Sequence, residues 1–156
     1  EGEILVLQGI AGSSASRDRG QGFEEGIAQF PNVKVVGKQT ANFDRTEGLN
    51  VTTNLLQANP NIKAIFAEND EMALGAIEAL GARAGEEVKV FGFDGTADGL
   101  TAVEDGKLEG TIAQQPDELG ARAVEQAAAI LEGGTAEEEV PVEVVTVTNE
   151  NVAEFK

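Results

Sequence analysis

The stretch Val88-Lys89-Val90-Phe91-Gly92-Phe93-Asp94-Gly95-Thr96-Ala97-Asp98-Gly99 decides how this chain is read. A short β-branched apolar run, 88–91, gives way to glycines that bracket one carboxylate, Asp94. Such a run bounded by glycine is consistent with a buried strand. An aspartate at the end of a buried strand is hard to desolvate unless hydroxyls or a positive charge meet it. Two readings of Asp94 follow: a cap for the next helix, or an acceptor for the hydroxyl protons of a ligand.

Working outward, the same unit recurs along the chain. Strands are expected at 3–7, 33–37, 62–66, 88–91 and 110–113, with stretches of helical period between them. Phe23, Ile27 and Phe30 fall at i, i+4 and i+7, and Met72, Ala73, Ala76, Ile77 and Leu80 make one apolar stripe. Asp44 followed by Glu47 resembles a capping box, either Asn69 or Asp70 should cap the third helix, and Gly81 and Gly85 end it. Pro31, Pro60, Pro116 and Pro141 all fall at element boundaries. Pro116 with Asp117 and Glu118 opens a last helix, 116–132, striped by Leu119, Ala123, Val124, Ala127, Ala128 and Leu131 and stopped by Gly133-Gly134. A strand-like run, 142–147, follows an acidic turn at 137–139. Strand–helix units in series predict an α/β fold: a three-layer, doubly wound parallel sheet with right-handed crossovers, as a single domain.

Composition narrows the function. The 156 residues are 41% hydrophobic and 25% charged, normal for a globular domain with a real core. The net charge of −17 argues against nucleic acid and against an anionic membrane surface. No apolar run is long enough to span a bilayer, and the absence of a signal-peptide pattern suggests a mature chain or a fragment. With no cysteine there is no disulfide or thiol chemistry; with no histidine the commonest general base and metal ligand are missing. No catalytic group, metal site or cofactor motif is expected. Phenylalanines are the only aromatics.

In an open parallel sheet, ligands bind beyond the carboxyl ends of the strands. The sequences there are "GIAGSSASRDRG" with Arg17 and Arg19, "ANFDR" with Phe43, "AEND" with Asn69 and Asp70, "GFDG" with Asp94, and "TIAQQPD" with Gln114 and Gln115. A guanidinium, an aromatic face, amides and a carboxylate on one rim suit a neutral polyhydroxyl ligand. Each residue also has a plainer reading. Phe43 suits the core, Asn69 or Asp70 a helix cap, Gln114 a turn, and the arginines a solvated surface. "GIAGSSAS" lacks the Lys-Ser/Thr of a phosphate loop. Asp44, Asp70 and Asp94 could be read as a phosphoacceptor or metal cluster, but the first strand ends in Gln8-Gly9 where such domains place acids.

Taken together, "LQGIAGSSASRDRGQGF", "ANFDRTEGLNV", "NLLQANPNIKAIFAENDEMALGA", "VFGFDGTADG", "AVEDGKLEGTIAQQPDELGARAVE" and "VPVEVVTVTNENV" resemble the D-ribose-binding proteins, soluble receptors of ABC importers, along essentially the whole chain. The resemblance implies a flavodoxin-like (βα)5 lobe of a type I periplasmic binding protein, the second of two lobes. It implies ligand contacts at Arg19, Phe43, Asn69, Asp94 and Gln114, an ABC permease as partner, and a periplasmic or extracellular location. Glu68 and Ala97 depart from the family's usual glutamine and proline, and Glu68 is expected to add charge near the site. In the family the chain crosses to the other lobe after the residue matching Gln114, so residues 1–114 are expected to form the lobe core and 115–156 the crossing segment. Alone, the lobe is expected to bind D-ribose or a related monosaccharide weakly or not at all. The helix 116–132 is expected to fold back on its own sheet as the fifth helix of a monomer; a swapped dimer is the alternative. Two other functional readings stay open: a designed or reconstructed half-protein serving as a folding model, and a phosphoacceptor (βα)5 domain.

Overall fold

The computed structural model describes residues 1–155. One sheet holds β1 (Gly2–Gln8), β2 (Val33–Thr40), β3 (Ala64–Ala67), β4 (Lys89–Asp94), β5 (Gly110–Ala113) and β6 (Val145–Thr148) in the order β2-β1-β3-β4-β5-β6. The first five are parallel. The sheet is mixed, however, because β6 pairs antiparallel with β5. Val145 starts beside Ala113, where β5 ends, so the connection returns to the same edge and needs no crossover. The strand-like run 142–147 thus becomes an edge strand from residue 145; Lys156 lies outside the described residues. Between β1 and β2 the register slips from Ile4–Val35 to Leu5–Gly37, leaving Val36 as an extra residue in the edge strand.

The helices are α1 (Ser14–Ile27), α2 (Arg45–Ala58), α3 (Asp70–Leu80), α4 (Ala97–Glu104) and α5 (Pro116–Leu131). The first four open at the carboxyl edge of the sheet, each with a side-chain cap. Ser13, Asp44, Asn69 and Thr96 accept from the backbone N–H of Ser16, Glu47, Met72 and Gly99. Two alternatives close here. Asn69, not Asp70, caps α3, and Thr96, not Asp94, caps α4.

Strand alternation sends Leu5, Leu7, Ile65, Ala67 and Val90 to one face, where all are fully buried. This is the face of α2, α3 and α4. There α2 and α3 meet backbone to backbone: a Cβ on Gly75 would stand 2.1 Å from the Arg45 carbonyl oxygen, and one on Gly48 2.8 Å from that of Met72. The opposite face carries Ile4, Phe66, Phe91 and Ile112 and is covered by α1 alone, with Phe23 stacked on Phe66 at 4.7 Å. Beside α1 an open apolar groove of about 680 Å³ remains along the sheet.

α5 does not fill that groove. None of its residues is buried, and Leu119, Val124, Ile130 and Leu131 are exposed. The expected fold-back is not adopted. Gln115, at the turn into Pro116, donates from Nε2 to the Glu143 carbonyl, and Gln126 Oε1 accepts from the Glu137 N–H. These bonds tie α5 to the returning segment rather than to the sheet.

Candidate functional site

The five candidate residues form two hydrogen-bonded groups, Arg19 and Gln114 on Asp94, and Asn69 on the Phe43 backbone. Arg19, in the second turn of α1, donates through Nη1 to the Glu68 carbonyl at 2.7 Å and through Nη2 to Asp94 Oδ1 at 3.1 Å. Its guanidinium lies over the Phe93 ring, 3.9 Å from the centroid, and 5.8 Å from that of Phe43. From the end of β5, Gln114 donates through Nε2 to the same Asp94 Oδ1 at 2.8 Å. Asn69 donates through Nδ2 to the Phe43 carbonyl at 3.3 Å while its Oδ1 caps α3. Its amide is therefore engaged within the protein.

The backbone of this rim is strained where the candidates sit. Among the described residues, only Asn42, Phe43 and Asp94 combine a side chain with positive φ, at 52°, 60° and 121°. Such conformations cost about 1–3 kcal/mol each and persist where the surroundings over-determine them. Phe43 is held by Gly9, on which a Cβ would stand 2.0 Å from the phenyl Cζ. The half-buried ring also packs against the core, in keeping with the plainer of its two sequence readings.

Asp94 ionises against its surroundings. Burial pushes its carboxyl above the ordinary carboxylate range; Arg19 opposes this, Asp70 adds to it, and the bonds from Gln114 and Arg19 pull it back down. Both donors converge on Oδ1, and no hydrogen bond reaches Oδ2 among the described residues. The side chain retains 26% exposure, leaving it partly open to solvent.

Other candidates fall outside this cluster. Arg17 is exposed and pairs with Asp18, and Gln115 serves the α5 turn. Asp44, Asp70 and Asp94 do not share a site: Asp44 caps α2, Asp70 is fully buried, and Asp94 faces Arg19. No group of acids able to hold a metal occurs among the described residues. The carboxylate of Glu68 is fully buried and turned toward Gly9 and Ser16 rather than into the rim.

Sequence reasoning missed Phe93, Arg45 and the burial of Glu68, and it named Asp70 without foreseeing that it is buried. Strand alternation from Phe91 would have placed Phe93 on the α1 face. A second acid beside the α3 cap was a hint that Asp70 had other work. Arg45, forked onto Glu71 at 2.9 and 2.8 Å and onto Asp98 at 2.8 Å, links the starts of α2, α3 and α4 from outside. Its partners are too far apart in sequence to have been paired by spacing.

Comparison with known proteins fits this geometry. Residues 1–135 match the periplasmic binding protein domain model. The chain is 52% identical over 141 residues to the ribose import binding protein RbsB of Salmonella typhimurium, covering 90% of this chain and 47% of that protein. Against the Bacillus subtilis protein of the same name it is 50% identical over 131 residues, covering 84% and 42%. A periplasmic solute-binding protein of an ABC transporter from Actinobacillus succinogenes, solved with bound D-allose, superposes with a TM-score of 0.94 at 37% identity, covering 99% of this chain and 55% of that one. The chain thus spans about half the length of the curated relatives it matches. No helix among the described residues is long and apolar enough to cross a membrane. In fold and in sequence, this chain belongs to the periplasmic binding protein family.

Proposed function

We propose that this chain is one lobe of a receptor for D-ribose or a closely related monosaccharide, serving an ABC importer. The observation that carries this reading is Asp94. It is a strained, half-buried carboxylate with one oxygen held by Arg19 and Gln114, and the Arg19 guanidinium lies against the Phe43 and Phe93 rings. A carboxylate accepts from two neighbouring hydroxyls, a guanidinium donates in a fork, and an aromatic ring covers the C–H face of a sugar. Identity near 50% to ribose import binding proteins supports the same ligand class. Arg19, Phe43, Asn69, Asp94 and Gln114 are the proposed contacts. Asn69 would have to release Phe43 to add its amide to a sugar.

The exposed α5 supports the second part of the reading. Residues 1–114 and the returning β6, with Val147 and Val152 buried, make up the lobe core rather than 1–114 alone, and 115–144 reach toward a second lobe that supplies the other half of the contacts. The apolar stripe of α5 is solvent-facing because its partner surface belongs to that lobe. In such receptors hinge closure over the ligand creates the form that docks on a permease. A single lobe cannot clamp, so the chain alone should bind ribose only at millimolar level or weaker.

Titration with D-ribose, followed by two-dimensional amide NMR, tests the site. Shifts confined to residues around Arg19, Phe43, Asn69, Asp94 and Gln114 are expected. Shifts elsewhere, or a larger response to a sugar lacking vicinal hydroxyls, would refute the assignment.

A further inference from the structure

The tripeptide Glu68-Asn69-Asp70 ends the central strand β3 and enters α3. It carries two fully buried carboxylates, with an amide that is 6% exposed between them. Burying two carboxylates so close together is unfavourable unless each is well supplied with donors. Each is supplied, and from opposite sides. Glu68 Oε2 accepts from the Gly9 N–H at 2.7 Å and from the Ser16 hydroxyl, both of the β1–α1 region. Asp70 Oδ2 accepts from the Thr96 N–H at 2.8 Å and hydroxyl at 3.1 Å, and Oδ1 accepts from the Thr111 hydroxyl at 2.7 Å. Thr111 Oγ1 in turn accepts from the Gly95 N–H at 3.3 Å.

These bonds end next to the proposed ligand groups. Gly9 supports the Phe43 ring, and Ser16 is on the helix that carries Arg19, which also donates to the Glu68 carbonyl. Gly95 and Thr96 directly follow Asp94, whose φ of 121° needs outside restraint. Thr111 lies on β5, three residues before Gln114. Asn69 Nδ2 holds the Phe43 carbonyl. The glycines around the tripeptide make the approach feasible: a Cβ on Gly92 or on Gly99 would stand 2.3 Å from an Asp70 carboxylate oxygen, and one on Gly20 3.0 Å from Glu68 Oε1. Glu68 Oε1 itself is buried without a hydrogen-bond partner, so the connection runs through one oxygen only.

We infer that Glu68 and Asp70 are positioning residues for the sugar half-site: Glu68 sets the Arg19 and Phe43 side, Asp70 sets the Asp94 and Gln114 side, and neither touches the ligand. This assignment rests on the proposed ligand site but makes claims that can be read without ligand.

The experiment uses the chain as it is, compared by two-dimensional amide NMR including the arginine side-chain Nε–H signals. Asp70→Asn keeps the shape but cannot accept from both Thr96 and Thr111. It should shift amides of 93–99 and 111–114 while leaving 9–20 in place. Glu68→Leu should do the reverse, moving 9–20 and the Arg19 Nε–H signal. Glu68→Gln should restore the wild-type pattern, because one amide oxygen can still accept from Gly9 and Ser16. If Asp70→Asn does not fold, Thr111→Val reads the same connection. Perturbation of both sides by either change, or an unmoved Asp94 amide in the folded Asp70 or Thr111 variant, would overturn the inference. D-ribose is then added to each. Where wild type responds, Asp70→Asn and Glu68→Leu should weaken the response about tenfold and Glu68→Gln should not. A wild type that ignores ribose sinks the ligand reading and leaves the positioning result to be judged from the ligand-free spectra.

Discussion

The two faces of the sheet differ in how far they are finished. On the face of α2, α3 and α4, Leu5, Leu7, Ile65 and Val90 are fully enclosed, and two helices touch through glycines. On the face of α1, Phe91 is 41% exposed beside an open groove, while an apolar helix of the same chain stands away from it. Both faces carry large apolar strand residues. The difference is one of partners, which shows that alternation specifies what a strand can bury and not what will bury it.

The sharpest test of that contrast is truncation on the finished face. Leu7→Ala should cost about 2–5 kcal/mol, read as a lower urea midpoint, because its surroundings cannot collapse into the space. A loss below about 1 kcal/mol would mean this face is looser than described. Next in size is Gly75→Ala, which should cost about 1–3 kcal/mol by forcing α2 and α3 apart. A neutral result would show that the helices slide freely.

Asp94→Asn should act in the opposite direction. A carboxyl whose pKa is raised by folding binds its proton more tightly in the folded chain than in the unfolded one. Stability attached to it therefore falls as pH rises from the ordinary carboxylate range through the raised value, and stays low above. The asparagine variant lacks that fall and tolerates positive φ better. It should melt higher than wild type at neutral pH, lose the advantage in acid, and lose ribose response if wild type has one. Equal melting at neutral pH would argue that Arg19 and Gln114 fully offset the burial.

The smallest effects belong to the unfinished face. Phe91→Ser and Val124→Ser should each stay within about 0.5 kcal/mol in the isolated chain. A clear loss for both, with a doubled mass by light scattering, would mean that α5 covers the groove of another copy. The same loss at monomer mass would restore the fold-back.

Most of the architecture was legible because it is local. Strand periods, prolines at boundaries and capping residues placed the five parallel strands and the starts of α2, α3 and α5. Two features were not local. The direction of β6 depends on where residues 132–144 lead, and the position of α5 depends on a surface that helical periodicity cannot identify. At the rim, Arg19, Asp94 and Gln114 could be listed from strand ends, and the structure joins them. The buried acids behind them could not. Their donors lie 26 to 59 residues away along the chain, and a sequence shows a carboxylate without showing its donors.

The extra residue in β2 has a consequence for how the chain behaves at high concentration. An edge strand offers unpaired backbone groups that can template another strand, the first step toward fibres. Here Val36 is squeezed out of register, and Lys34 and Lys38, drawn from a chain with only 11 basic residues, flank the kink. A twisted, lysine-studded margin is a poor template. Self-association of this lobe through the β2 margin should therefore be poor beside association through side chains of the groove and α5.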